Sequence, residues 1–137
     1  MSRIIYTEAP GKVRHQYRRS IAEMLRRLSQ KERVDDEAKD QAALIVLCLQ
    51  GMADTVDQTV LAWEKRDYWM KAERFRREWE WLDPMADQLS RVICEGRWPE
   101  LPATLAKLAP HFSDIGVKRM TRTPDFWQGA YQKLMDG

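Results

Sequence analysis

The sequence predicts an all-α helical bundle, and three observations carry the prediction. Ala38, Ala42, Ile45, Leu49, Met52, Val56, Thr59 and Trp63 recur at alternating four- and three-residue steps, and Tyr68, Ala72, Phe75, Trp79, Leu82, Ala86, Leu89 and Ile93 repeat the pattern. Residues three and four apart are neighbours on a helix surface, so each set forms one apolar face and the two faces can close on one another. Composition agrees. Ala, Leu, Arg, Glu, Gln and Met are plentiful, Val, Ile and Thr are sparse, and only 6 of 137 residues are glycine. Helix-end signals then bracket the long periodic stretch, with acids Asp35, Asp36 and Glu37 before it and Gly96 and Pro99 after it. The bundle is therefore expected to rest on a long antiparallel helical hairpin over about residues 36–98, turning near Glu64-Lys65-Arg66-Asp67.

A chain of this length is expected to form one domain, residues 1–137, with a possible N-terminal arm over 1–9 and a C-terminal covering segment over 99–137. Thr7 is the candidate N-cap of a first helix running from about Pro10 to Leu28, with Val13, Tyr17, Ile21, Met24, Leu25 and Leu28 on its apolar face. His15, Arg18, Arg19 and Arg26 project from the opposite face, and Arg19, Glu23 and Arg27 stand at four-residue steps suited to surface ion pairs. The hairpin's first helix starts at Ser29, which with Glu32 has capping-box spacing, or at Asp35. Its stretch Ala42 to Leu49 is apolar on every side, so a first helix, a returning helix and either the tail or a second subunit must enclose it. Gly51 marks a close crossing or a bend. Pro84 lies inside the returning apolar face and kinks the helix or restarts it, with Asp83 as N-cap and Pro84 at the first position the favoured arrangement. Beyond Pro99 a short helix is expected at about Ala103 to Ala109, then a loop through Arg122. A last helix opens at Thr123-Pro124-Asp125 and runs to Leu134, docking through Phe126, Trp127, Ala130, Tyr131 and Leu134.

The net charge of +2 excludes nothing by itself, but its distribution is uneven. Residues 1–34 carry nine Lys/Arg against three Asp/Glu, residues 35–98 nine against fourteen, and residues 99–137 five against four. The longest unbroken apolar run, Ala42 to Leu49, falls well short of the roughly 20 residues that cross a bilayer, and the first residues lack the apolar core of a signal peptide. A cytoplasmic protein without membrane attachment is expected. Cys48 and Cys94 match no zinc or disulfide pattern and are expected as buried, reduced thiols.

Motifs for chemistry are scarce. Neither His15 nor His111 lies in a Glu-x-x-His spacing, and no Gly-rich phosphate loop, nucleophile elbow or Cys/His pair is visible. No cofactor is implied. Asp54 and Asp57, followed by Glu80 and Asp83, give two acidic pairs at three-residue spacing on antiparallel helices. That pattern resembles the magnesium-binding carboxylates of the all-helical nucleoside triphosphate pyrophosphohydrolases, and the resemblance implies a metal site at those four residues. Solvated helix faces are the simpler reading of the same residues.

Two binding readings remain. Of the six tryptophans, Trp63 and Trp79 fall on the apolar faces, while Trp69, Trp81, Trp98 and Trp127 fall off them. Amphipathic aromatics at such positions suit a surface that meets another surface, or packing beneath the tail. The favoured function is a non-enzymatic, self-associating helical interaction module, a homodimer joined through Trp69, Trp81, Met85 and Val92, with any other protein partner unknown. The alternative is a nucleic-acid-associated subunit that grips phosphates through Arg14, Arg18, Arg19 and Arg26 together with Lys118, Arg119 and Arg122.

Overall fold

The computed structural model describes residues 8–137, which form helices joined by turns with no strand among them. Thr7 and most of the expected arm over residues 1–9 lie outside the described residues; Ala9 directly precedes the first helix. The helices are α1 (Pro10–Ser29), α2 (Asp36–Lys65), α3 (Trp69–Glu78), α4 (Leu82–Cys94), α5 (Leu101–Leu108) and α6 (Ala130–Asp136), with short 3-10 turns at Trp98–Glu100, Ala109–Phe112 and Pro124–Phe126.

Asp35, not Ser29, starts α2: its carboxylate accepts the Ala38 backbone N–H at 2.8 Å. Lys31 steadies that corner with ion pairs to Asp35 at 3.0 Å and Glu37 at 2.8 Å. α2 is the central helix and packs against α1, α3, α4 and α6. Ala42, Ala43, Ile45, Val46, Leu49 and Met52 are fully buried in the resulting core. The fourth wall that the sequence requires comes from the chain's own tail. By length and composition α2 is also the one described helix apolar enough to cross a membrane, with half of its most apolar window buried inside the bundle. An averaged window tolerates isolated polar residues that interrupt an unbroken run.

At the end of α2 the chain turns through Arg66 and Asp67, with Asp67 at φ 63. Tyr68 N–H reaches back to Trp63 C=O at 2.9 Å and Asp67 N–H to Glu64 C=O at 3.0 Å, the two bonds of a Schellman ending. Gly96 ends α4 in the same way at φ 66. Contacts bracket the return of the chain along α2: Arg76 meets Glu64 at 3.3 Å near the turn, and Lys39 lies 5.4 Å from the Trp98 ring at the far end.

The returning helix is broken, as Pro84 suggests, but at a different residue. Trp81 occupies the N-cap position and α4 begins at Leu82, so Asp83 sits in the first turn and does not cap. The reason lies in proline's reach. Its ring excludes the carbonyl four residues earlier, that of Glu80, from a continuing helix, so the chain must leave helical geometry before residue 81. Within the first turn of a new helix its missing N–H has no bond to lose.

Gly51 marks a close crossing. A Cβ there would stand 2.5 Å from Cζ of Tyr17 on α1, so the tyrosine ring lies flush against the glycine.

The C-terminal segment wraps the bundle. α5 starts at Leu101, two residues before the expected Ala103, because Pro102 is accommodated inside its first turn. Leu101, Thr104, Leu108 and Phe112 are buried, and His111 stacks on Trp81 at 3.8 Å. Residues 113–123 then run without regular structure along α1. The basic face of α1, expected to point outward, holds them. Arg18 donates to Asp114 at 2.6 Å and to the His111 carbonyl at 3.0 Å, and Arg26 donates to the Val117 carbonyl.

Between these contacts lies Glu23, 1 % exposed, where the sequence suggests a surface ion pair. Its carboxylate accepts the backbone N–H groups of Thr121 and Arg122, both at 3.1 Å, and the guanidinium groups of Arg122 at 3.0 Å and Arg27 at 3.1 Å. Arg27 also donates to the Arg122 carbonyl at 2.7 Å and covers the Trp127 ring at 4.7 Å, with Trp127 itself buried. The expected last helix is split in two. Pro124–Phe126 forms a 3-10 turn, Gly129 takes a left-handed φ of 85, and α6 starts only at Ala130. Asp40 on α2 accepts the Tyr131 N–H at 2.9 Å, supplying from another helix the cap that α6 lacks in its own sequence.

Two predictions test this packing. Gly51→Ala should destabilise the protein by about 1–3 kcal/mol in urea unfolding, against the roughly 1 kcal/mol that alanine gains in an open helix, because Tyr17 must move. Combining it with Tyr17→Leu should recover most of that loss. At Glu23, burial pushes the carboxyl pKa up and the hydrogen bonds from Arg27, Arg122 and the two backbone N–H groups outweigh it, leaving the group below its usual range. A depressed folded pKa gives stability that is fully present above the unfolded value of about 4.3 and is lost as pH falls through the folded one. Glu23→Ala should cost about 3–5 kcal/mol at neutral pH, because it leaves two cations without their carboxylate. Wild-type stability should also fall more steeply than that of Glu23→Gln below about pH 4.3. Equal slopes would assign the acid sensitivity to other carboxylates.

Candidate functional site

The aromatic residues of the returning helix form a ladder rather than an open face. Trp63 meets Phe75 edge-on at 5.1 Å, Phe75 meets Trp79 at 6.1 Å, Trp79 meets Trp81 at 6.0 Å, and Trp81 carries His111. Arg14, 9 % exposed, lies 4.9 Å from the Phe75 ring and 5.4 Å from the Trp79 ring and donates to Thr59. Burial lowers its pKa, while Glu78 acts in the opposite direction. Trp98 and Trp127 are likewise covered, Trp98 by Lys39 and Tyr131, Trp127 by Arg27.

The four residues expected to form one interface are therefore dispersed. Val92 is fully buried in the core, Met85 is partly buried against it, and Trp81 is beneath the tail. Val92 lies on the side of α4 that packs into the core and is 1 % exposed. Trp69 alone is exposed, at 58 %, and both of its neighbours join it: Tyr68, which the apolar repeat places on the inward face, is 43 % exposed, and Met70, which the repeat omits, is 79 % exposed. Arg66 and Lys71 flank the Tyr68 ring at 5.1 and 5.2 Å. The Asp67 turn places the three consecutive residues at the tip of the hairpin, where α3 offers its first turn and, among the described elements, packs against α2 alone. The available signal was Trp69-Met70, two large apolar residues standing next to each other where the apolar repeat admits only one.

The basic residues separate by role. Arg14 is buried, and Arg18, Arg26 and Arg122 are engaged in holding the tail, so none of these four presents a free cation. Arg19, Lys118 and Arg119 are exposed and form no ion pair among the described residues. These three, from segments about a hundred residues apart, line one cleft of about 380 Å³ with Glu23, Thr121 and Arg122. Ile115, Gly116 and Val117 supply its remaining wall. A second groove of about 440 Å³, between the end of α1, the loop before α2 and α5, is apolar and lined by Leu25, Leu28, Val34, Leu101 and Leu105.

The acidic pairs do not assemble. Among the described residues no three His, Cys, Asp or Glu side chains gather in an arrangement that could hold a metal ion, so Asp54, Asp57, Glu80 and Asp83 do not form the expected cluster. The break at residues 79–81 interrupts the regular helix that their spacing presupposed. Cys48 is buried, which pushes its thiol up to about 12, whereas Cys94 at the last position of α4 is exposed, contrary to expectation. Compared with known protein families, with curated proteins and with solved structures, the chain matches none.

Proposed function

We propose that the protein is a non-enzymatic helical interaction module that self-associates through the tip of its hairpin. The observation that carries this reading is the exposed run Tyr68-Trp69-Met70. Three adjacent large apolar side chains in water are costly to leave uncovered, and tryptophan, tyrosine and methionine are residue types that concentrate binding energy at interfaces. A second copy is the occupant that the charges favour. The tip carries both signs, with Lys65, Arg66 and Lys71 beside Asp67 and Glu73, so a two-fold axis through it can set opposite charges across one another. The free thiols Cys48 and Cys94 fit a reducing, cytoplasmic setting for this module.

Sedimentation equilibrium at micromolar concentration tests the proposal. Wild type should be a dimer, and Trp69→Ser combined with Met70→Ser should shift it to monomer by at least about 2 kcal/mol of association energy with helicity and melting temperature unchanged. A wild-type protein that stays monomeric across that range overturns the reading. Trp81→Ala should instead lower the melting temperature without a specific effect on association, since it removes the platform under His111.

A further inference from the structure

We propose that the cleft between α1 and residues 115–122 is a binding site for phosphate groups, with Arg19, Lys118 and Arg119 as the ligand-facing cations. This inference is independent of the self-association at the hairpin tip. Seven basic residues lie on or beside this side of the molecule, and their partners divide them cleanly. Arg18, Arg26, Arg27 and Arg122 are consumed by Asp114, backbone carbonyls and Glu23. Arg19, Lys118 and Arg119 have no carboxylate among the described residues, yet the docked tail brings them to the rim of one cavity of about 380 Å³. Like charges gathered without counter-charge repel one another, and an anion in the cleft removes that repulsion.

The lone acid of the lining does not oppose such a ligand. Glu23 is ion-paired with Arg122, which also lines the cleft, and with Arg27, which does not, so two guanidinium groups offset its single charge. Two of the three free cations are arginines, whose planar forks match pairs of phosphate oxygens, and the cleft has no aromatic residue in its lining on which a base could stack. Recognition is therefore of the phosphate and not of a base. Phosphates of this kind come from a nucleic-acid backbone or from a small polyphosphate, and the two sources separate experimentally.

The whole 137-residue chain is titrated with a labelled mixed-sequence single-stranded oligonucleotide by fluorescence anisotropy across a salt series, and with pyrophosphate by calorimetry. Three neutralised phosphates on a single strand give a slope of about −2 in log affinity against log salt. Lys118→Glu with Arg119→Glu should weaken binding by at least about tenfold, because charge reversal changes the sign of the field at the cleft. Lys107→Glu with Lys133→Glu, the same change of net charge elsewhere on the tail, should leave it unchanged. Oligonucleotide binding that behaves in this way identifies a backbone as the source, and pyrophosphate binding alone identifies a small polyphosphate. No binding of either at low salt overturns the proposal, as does binding that survives the Lys118/Arg119 reversal or that falls equally in the Lys107/Lys133 control. Unchanged melting temperatures of both variants exclude a folding defect as the cause of any loss.

Discussion

The Glu23 carboxylate governs how the last third of the chain meets the rest. An ionised group withdrawn from water costs several kcal/mol unless other groups replace its hydration, and here four donors do so, two from side chains and two from the backbone. Three of the four come from the tail. The segment they belong to has little else to hold it, since residues 113–123 contain only Ile115, Val117 and Met120 as sizeable apolar side chains, all half-buried. Its path over α1 is therefore set by polar contacts, with Arg18 and Arg26 as secondary ties. Everything that follows depends on that path: Trp127 under Arg27, Gly129 at its left-handed turn, and α6 closing the last open side of α2.

Helices were the most legible part of the sequence because their signal is repeated. The faces built on Ile45, Leu49, Met52 and on Leu82, Ala86, Leu89 are buried where the three-and-four repeat places them. Single-residue signals were less decisive. Pro84 announces a break, but whether it takes the first position or the third of the new helix depends on where Trp81 finds partners, and those partners are His111 and Phe112 in the tail. Thr123-Pro124-Asp125 reads as a helix start, yet one turn later Gly129 adopts a conformation no helix accommodates. Glu23 shows the limit most plainly. Arg19 and Arg27 at four-residue steps are sufficient local reason to read it as a surface residue, and nothing nearby reports that Arg122 is its partner.

Of the candidate sites, charge was legible and its employment was not. The two basic segments, on α1 and at 118–122, are evident in the sequence, and in the fold they lie side by side. An arginine that faces solvent and one that fastens a loop look alike in one dimension, because the carbonyls and carboxylates that distinguish Arg18 and Arg26 from Arg19 arrive from residues 111–117. Tryptophans behaved similarly. Their spacing off the apolar faces suits either a subunit contact or packing beneath the tail; for Trp81, Trp98 and Trp127 the cover is the chain itself, and of the four Trp69 alone is exposed.

The ties between α1 and the tail join residues 91 to 99 positions apart. Closing a loop of that length costs little in equilibrium terms, since each doubling adds only about 0.6 kcal/mol, but it orders events in time. α2, α3 and α4 are consecutive in the chain and find one another through short connections, whereas the clamp on Glu23 forms only after the whole chain between has been drawn in. The amides of Thr121, Arg122 and Tyr131, each bonded to a carboxylate on α1 or α2, are the natural reporters of that clamp in hydrogen exchange. Since Lys118 and Arg119 belong to the segment that the clamp holds, the basic cleft exists only while the tail is docked on Glu23.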